Sequence, residues 1–306
     1  MAITIKTQNY GVEIELTGIT REKAASIIAG HFGTTHSYAG SAYSTWEAKD
    51  RKNRTWKCMS DASIECQKKV GNRMVSASRD YSCEVVTPIL QYEDMDDLQE
   101  IVRKLRAAGA IANSSTGIHV HVDGANHTPS SLTRLVNYFV GRQDLFYEAL
   151  EIGERANRWC RKMNPTLLKA MKHTDKNRNA VEQVWYSDVN DQYRGGVDHS
   201  HYNQTRYHGA NLHAFFTKGT VEFRLFNGTT HAGRIKAYVQ FCLAMSAWAI
   251  NCEKDRLFFK DINGYTKAQK KEIMTRMLTR RLGLNGKEFE TCRYFLTRAF
   301  DEPTAA

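Results

Sequence analysis

Three short runs in this chain set charged or imidazole side chains two residues apart within otherwise apolar stretches. They are Gly11-Val-Glu-Ile-Glu-Leu, Gly117-Ile-His-Val-His-Val and Thr220-Val-Glu-Phe-Arg-Leu. Strand side chains alternate between faces, so residues two apart share one. Glu13 and Glu15 therefore stand opposite Val12, Ile14 and Leu16. His119 and His121 stand opposite Ile118, Val120 and Val122, and Glu222 and Arg224 opposite Val221, Phe223 and Leu225. A fourth run, Tyr81 to Pro88, adds Glu84 before Val85 and Val86. Half-exposed antiparallel strands often alternate merely to meet water. Solvent faces, however, prefer Thr, Lys and mixed charges, and two carboxylates about 7 Å apart on one strand repel. Gathered in one sheet, these faces would hold carboxylates, imidazoles and a guanidinium, and a divalent cation would relieve the repulsion. Carboxylates with one imidazole suit magnesium or manganese, while seven cysteines scattered singly speak against structural zinc. Magnesium shares its shell with substrate phosphates, so this set suggests phosphoryl chemistry. The sequence has no G-x-x-x-x-G-K-[ST], G-x-G-x-x-G, H-E-x-x-H or G-x-S-x-G motif. Metal and arginine would have to hold the phosphates.

The remaining elements are read from caps and periodicity. Thr20 is expected to cap a helix from Arg21 to about His31, and the acidic run after Tyr92 to open one reaching about Ala108 and ending at Gly109. Pro129, with Leu132, Leu135, Tyr138 and Phe139 at helical spacing, starts a long helix. Residues 150 to 205 read as polar and irregular. From Thr230 the chain is helical, with Tyr238, Phe241, Cys242, Met245, Trp248 and Ala249 on one broad apolar face.

The 306 residues carry 43 Lys plus Arg against 33 Asp plus Glu, a formal net charge of +10. With 42% hydrophobic and 25% charged residues, the composition is globular and excludes disordered and fibrous classes. The longest apolar stretch, Ala237 to Ile250, is shorter than the roughly 20 residues that span a bilayer, so no membrane association is expected. The N-terminus lacks a secretion pattern and there is no C-x-x-C pair, so a reduced, cytoplasmic protein is expected. The positive balance would attract nucleic acid, nucleotides or acidic substrates alike. Two basic stretches contribute to it. Lys49 to Lys57 has Trp46 and Trp56 nearby, and Lys267 to Arg281 carries Ile273, Met277 and Leu278 at helical spacing, either as a solvated helix face or as a polyanion contact.

The polar strands come in an order that resembles the glutamine-synthetase-like carboxylate–amine ligases, in particular their amidoligase branch. Gly11-Val-Glu-Ile-Glu is similar to the family's first Glu-x-Glu strand. Ser60-Asp-Ala-Ser-Ile resembles its Asp-Gly-Ser-Ile segment, with Ala62 in place of the usual Gly, and Glu84-Val-Val-Thr-Pro resembles its Glu-Val-x-x-Pro run. Asn113 to His121 is similar to the Gly-x-His-Val-His strand. Tyr207-His-Gly-Ala-Asn-Leu and Thr220 to Phe226 resemble the closing Asn and Glu-x-Arg elements. The resemblance spans about Gly11 to Thr229. It implies an α+β fold: a curved antiparallel sheet forming an open half-barrel, helices packed on its convex face, a catalytic domain over residues 1–232 and a helical part over 233–306. It implies that Glu13, Glu15, Glu84, His119 and Glu222 ligate two or more magnesium ions bridging the phosphates of ATP, with His121 and Arg224 touching phosphate. The implied reaction is γ-phosphoryl transfer to a carboxylate, followed by attack of an amine on the acyl phosphate to leave an amide.

Other positions stay open. Asp61 and Ser63 could hold the amine or the nucleotide, or form a turn that satisfies its own backbone. Asn211 could orient a substrate carboxylate or be structural. His199, His201 and His208 could line a lid, though surface histidines are the simpler reading. Cys58, Cys66 and Cys83 read as small core residues. The competing functions are a metal-dependent nuclease or phosphoesterase, whose sites are usually richer in Asp, and a non-enzymatic basic protein that binds nucleic acid.

Overall fold

The computed structural model describes residues 2–187, 196–254 and 261–301. Among them are ten strands: β1 (Tyr10–Leu16), β2 (His36–Gly40), β3 (Thr45–Lys49), β4 (Thr55–Met59), β5 (Gln67–Val70), β6 (Arg73–Ser76), β7 (Cys83–Val86), β8 (Gly117–Asp123), β9 (Ala210–Asn211) and β10 (Thr220–Asn227). Eight form one open sheet in the order β2-β3-β4-β7-β1-β8-β10-β9, and β5 and β6 make a separate hairpin. The pairs β2 with β3, β3 with β4, β4 with β7, β1 with β7, and β9 with β10 are antiparallel. The helices are α1 (Arg21–Phe32), α2 (Met95–Ala107), α3 (Pro129–Val140), α4 (Gln143–Ala149), α5 (Arg155–Arg158), α6 (Thr166–His173), α7 (Arg178–Trp185), α8 (His213–Lys218), α9 (Ala232–Asn251), α10 (Lys267–Arg276) and α11 (Glu290–Thr297). The fold is thus mixed α+β around a large antiparallel sheet that does not close into a barrel.

The chain divides into two compact units. The first comprises residues 1–8, 121–225 and 240–306, and the second residues 9–120 and 226–239. In the second unit the register decides which side chains share a face. Ile14 lies opposite Val85, and Val85 opposite Cys58, so all three point the same way. Each is at most 1% exposed. Helix α1 packs on this part of the sheet with Ala24, Ala25, Ile28 and Phe32 buried, and Phe32 lies 5.8 Å from the Trp56 ring. The Thr20 hydroxyl accepts a hydrogen bond from the Lys23 amide at its start, and Gly33, with φ 70°, ends it in the left-handed conformation that glycine adopts without strain. Helix α2 buries Leu98, Ile101, Val102 and Leu105. Its start is fixed by Asp94, which accepts from the Gln91 amide at 2.8 Å and from Arg54 at 2.8 and 2.9 Å. Burial opposes the Asp94 charge, but the Arg54 and Lys52 contacts outweigh it and hold this carboxyl down at about 2.

The first unit corrects one expectation. Residues 150–205 are not irregular throughout, because α5, α6 and α7 fall there. Leu167, Leu168 and Met171 on α6 and Val181 and Trp185 on α7 are all buried, and the two helices pack against each other and against α3. Their shortness hid them: each is eight residues long and buries only two or three side chains, enough to seat one face. Helix α3 begins with Pro129 in the first turn, as the sequence indicates, and Thr128 caps it. On α9, Phe241, Cys242, Met245 and Ala249 are fully buried. No helix among the described residues is long and apolar enough to cross a membrane.

Candidate metal and phosphate site

The polar strand faces are largely shielded from water, with Glu13, Glu84 and His121 half-buried. Glu15, His119, Glu222 and Arg224 are each no more than 6% exposed, as buried as many core residues. That removes the reading of these strands as ordinary half-solvated ones.

In the second unit the β1–β7 register sets Glu15 directly opposite Glu84, and Met59 on β4 opposite Glu84 from the other side. Side chains directly opposite on antiparallel strands stand about 5 Å apart at Cβ, so the two carboxylates share one face by construction. Asp61 follows two residues after the end of β4. Oxygens of Glu15, Asp61 and Glu84 can all lie within 4.8 Å of one another, and a second group of the same compactness consists of Glu13, Glu84 and His119. His119 stands between two acids: its Nδ1 is 2.8 Å from Glu13 Oε2 and its Nε2 is 3.6 Å from Glu15 Oε1. The Gly117 amide donates to Glu15 Oε2 at 2.6 Å, which fixes that carboxylate and points Oε1 at the imidazole.

These donors fit a hard divalent cation. Like charges packed within 4.8 Å in a poorly solvated place repel strongly, one imidazole can offset only part of that, and carboxylate oxygens are the ligands magnesium and manganese prefer. Asp61 also has a local role, since its Oδ1 accepts from the Ser63 amide at 2.6 Å and from the Ser63 hydroxyl at 2.5 Å. The turn expected as one alternative for Asp61 and Ser63 is therefore present. The carbonyl of Asp61 is held as well, by the Ser82 hydroxyl at 2.6 Å and Arg79 at 2.5 Å.

In the first unit β9 and β10 place Asn211 opposite Glu222. Asn211 Nδ2 donates to Glu222 Oε2 at 2.8 Å, and Arg224 Nη1 donates to Glu222 Oε1 at 2.7 Å. His121 Nε2 lies 3.8 Å from that Oε1, while its Nδ1 is 2.9 Å from the Thr220 hydroxyl. Arg224 is steered further by the Trp159 carbonyl, 3.5 Å from Nε, and by the Tyr207 ring, whose centroid is 5.6 Å from the guanidinium carbon. Its backbone amide donates to the Gly209 carbonyl at 2.9 Å. Gly209 admits no side chain, because a Cβ there would lie 2.3 Å from the Tyr147 hydroxyl.

Sequence reasoning missed a second layer behind Asn211. Its Oδ1 accepts from the His213 amide at 2.7 Å, and His213 Nδ1 is hydrogen-bonded to the Tyr186 hydroxyl at 2.7 Å. Burial, with Arg206 and His199 adding to it, pushes the His213 imidazole down to about 4, so it is neutral near pH 7. Of the three lid candidates, His199 is exposed and pairs with Glu182 at 2.6 Å, and His201 is exposed. His208 is a correction: it is 3% exposed, with Trp185 edge-on to its ring, and so is not a surface histidine. Cys58 and Cys83 are core residues as read, whereas Cys66 is only half-buried beside Arg79.

The carboxylate and imidazole cluster of the second unit is thus a candidate cation site, and the Glu222, His121 and Arg224 group of the first unit offers donors to an anion. A family described as "putative amidoligase enzyme" matches residues 6–246, and the chain belongs to that family. No curated protein matches the chain.

Proposed function

We propose that this amidoligase-family chain is an ATP- and magnesium-dependent carboxylate–amine ligase that forms an amide through an acyl phosphate. The observation that carries the reading is the cluster of Glu13, Glu15, Glu84 and His119, with Glu15 and His119 buried and Glu13 and Glu84 half-buried, whose donors suit magnesium and whose charge calls for a cation. Glu13, Glu15, Glu84, His119 and Glu222 are the proposed ligands. Bound magnesium would neutralise phosphate charge and align the γ-phosphoryl group with its acceptor.

The chain's own residues then have separable tasks. Gly117 N–H orients Glu15, and Asn211 orients Glu222, so neither carboxylate has to reorganise when charge arrives. Arg224 and His121 offer donors to phosphate oxygens, and the planar guanidinium can hold two at once. Asp61 and Ser63 are the proposed contacts for the attacking amine or the nucleotide. Nucleic-acid hydrolysis would use similar ligands, but family membership favours ligation. Thermal melts separate these readings: ATP with magnesium should raise the melting temperature and a single-stranded oligonucleotide should not. Stabilisation by the oligonucleotide alone would refute the ligase. The unidentified acid and amine can be sought by mass spectrometry of amide products formed when the protein and ATP are added to a cell extract.

A further inference from the structure

Among the described residues three arginines are buried: Arg21, Arg155 and Arg224, at 8, 7 and 6% exposure. Two have partners. Arg21 donates to the carbonyls of Ser44, Arg79 and Ser82, and Arg224 donates to Glu222 and to the Trp159 carbonyl. Arg155 differs. Its Nε is enclosed without a hydrogen-bond partner, and no described residue forms a hydrogen bond or an ion pair with its guanidinium. Arginine stays protonated in a protein, so this is a full positive charge taken out of water and left uncompensated, which destabilises the fold.

The surroundings of Arg155, all within the first unit, show what would compensate it. Its carbonyl accepts from the amides of Trp159 and Cys160 at 2.9 and 3.1 Å, so one turn of chain separates it from the Trp159 carbonyl that steers Arg224. That turn is fixed in place. The Cys160 carbonyl accepts from the Tyr147 hydroxyl, and the Arg161 amide donates to the Tyr207 carbonyl at 2.7 Å. Gly209, whose carbonyl accepts from the Arg224 amide, donates to the Arg161 carbonyl at 3.2 Å. The end of α5 and β10 are thereby laced together. Both guanidinia also bear on the Cys160 thiol: burial pushes it up to about 11, and the charges of Arg155 and Arg224 oppose that rise. A neutral or cationic ligand near this thiol would leave the Arg155 charge uncompensated. An oxyanion would satisfy it, because the planar guanidinium fork matches the oxygens of carboxylate and phosphate.

We propose that Arg155 is an oxyanion-binding residue beside Arg224, whose charge is satisfied only when a phosphate or carboxylate group arrives. The proposed ligase reaction supplies both sources, a nucleotide phosphate and the acid to be activated; the role rests on that reading, and the site does not. The test compares the wild type with Arg155→Met, which keeps an apolar stem and removes the charge, and with Arg155→Lys, which keeps the charge and loses the fork. Each full chain is melted in EDTA, then titrated calorimetrically with sodium pyrophosphate and, separately, with sodium succinate. Without ligand, Arg155→Met should melt no lower than the wild type, because it removes an unpaired buried charge; an arginine needed by the fold would give the opposite result. The wild type should bind at least one probe, and Arg155→Met should bind that probe at least about tenfold more weakly, since a charged hydrogen bond is worth that much. Arg155→Lys should fall between the two. The probe whose binding is lost identifies the source, phosphate or carboxylate. No binding of either probe by the wild type, equal affinity in Arg155→Met, or a lower melting temperature of that variant overturns the proposal. Hydroxamate formation by the wild type with ATP, magnesium and hydroxylamine is scored separately, so the ligase reading stands or falls independently of this site.

Discussion

Glu13 and Glu15 sit two residues apart on β1, yet they meet different partners. Glu13 faces His119 Nδ1 at 2.8 Å, and Glu15 is clamped by the Gly117 amide and lies opposite Glu84. If both are ligands, Glu13→Gln and Glu15→Gln should each lower manganese or magnesium affinity by on the order of 100-fold and leave the circular dichroism spectrum unchanged. Metal titration followed by calorimetry reads this directly, and unaltered affinity in both variants would remove them from the ligand set. Arg224 poses a sharper question, because the 2.7 Å contact to Glu222 could serve the sheet alone. Arg224→Lys keeps the charge and loses the two-point fork. A catalytic role predicts a fall in kcat on the order of 100-fold, about 3 kcal/mol, with a smaller change in KM for ATP. A purely structural role predicts a lower melting temperature with full turnover per folded molecule.

At the scale of elements, the period of two made β1, β8 and β10 legible from sequence, since an apolar face two residues in step admits only one register of burial. What joins those strands was not legible. The support of Glu222 by Asn211 depends on cross-strand register, and the Tyr186 contact that holds His213 behind Asn211 reaches across 27 residues of chain. Helices α5 to α7 were missed because, at four to eight residues, they are too short to repeat a helical period. Another long-range link ties α3 to α9 and to the N-terminal residues. His127 Nδ1 is 3.0 Å from the Ser131 hydroxyl and Nε2 is 2.9 Å from the Ser246 hydroxyl, which donates to Gln8 at 2.5 Å. Burial, with Arg134 adding to it, pushes the His127 imidazole down to about 4 from an ordinary value near 6.5. The unfolded chain then binds this proton more readily than the folded one, so stability is full above pH 6.5 and falls as pH drops toward 4. The shift corresponds to about 3 kcal/mol. Melting temperature should decline over that window, and His127→Gln should flatten the decline. An unchanged slope in the variant would assign the acid sensitivity elsewhere.

Across the whole molecule, the net charge of +10 is less available than composition implies. In the stretch Lys49 to Lys57, Arg54 is locked by Asp50 and Asp94, Lys52 reaches Glu93 and Asp94, and Arg51 reaches Asp97. Trp56 is 1% exposed in the core, so it offers no stacking surface to a nucleic acid. Apart from Asp50, the acids that neutralise this stretch come from the segment around α2, some forty residues on, which is why a linear reading of charge could not see them. Family membership and the buried carboxylates make one measurement decisive. The protein is incubated with magnesium, ATP, the small-molecule fraction of a cell extract and hydroxylamine, and nucleotide products and hydroxamates are followed together. ADP and enzyme-dependent hydroxamates should form together, and both should be abolished in Glu15→Gln. AMP with pyrophosphate, or ADP without any hydroxamate, would contradict carboxylate activation by phosphoryl transfer.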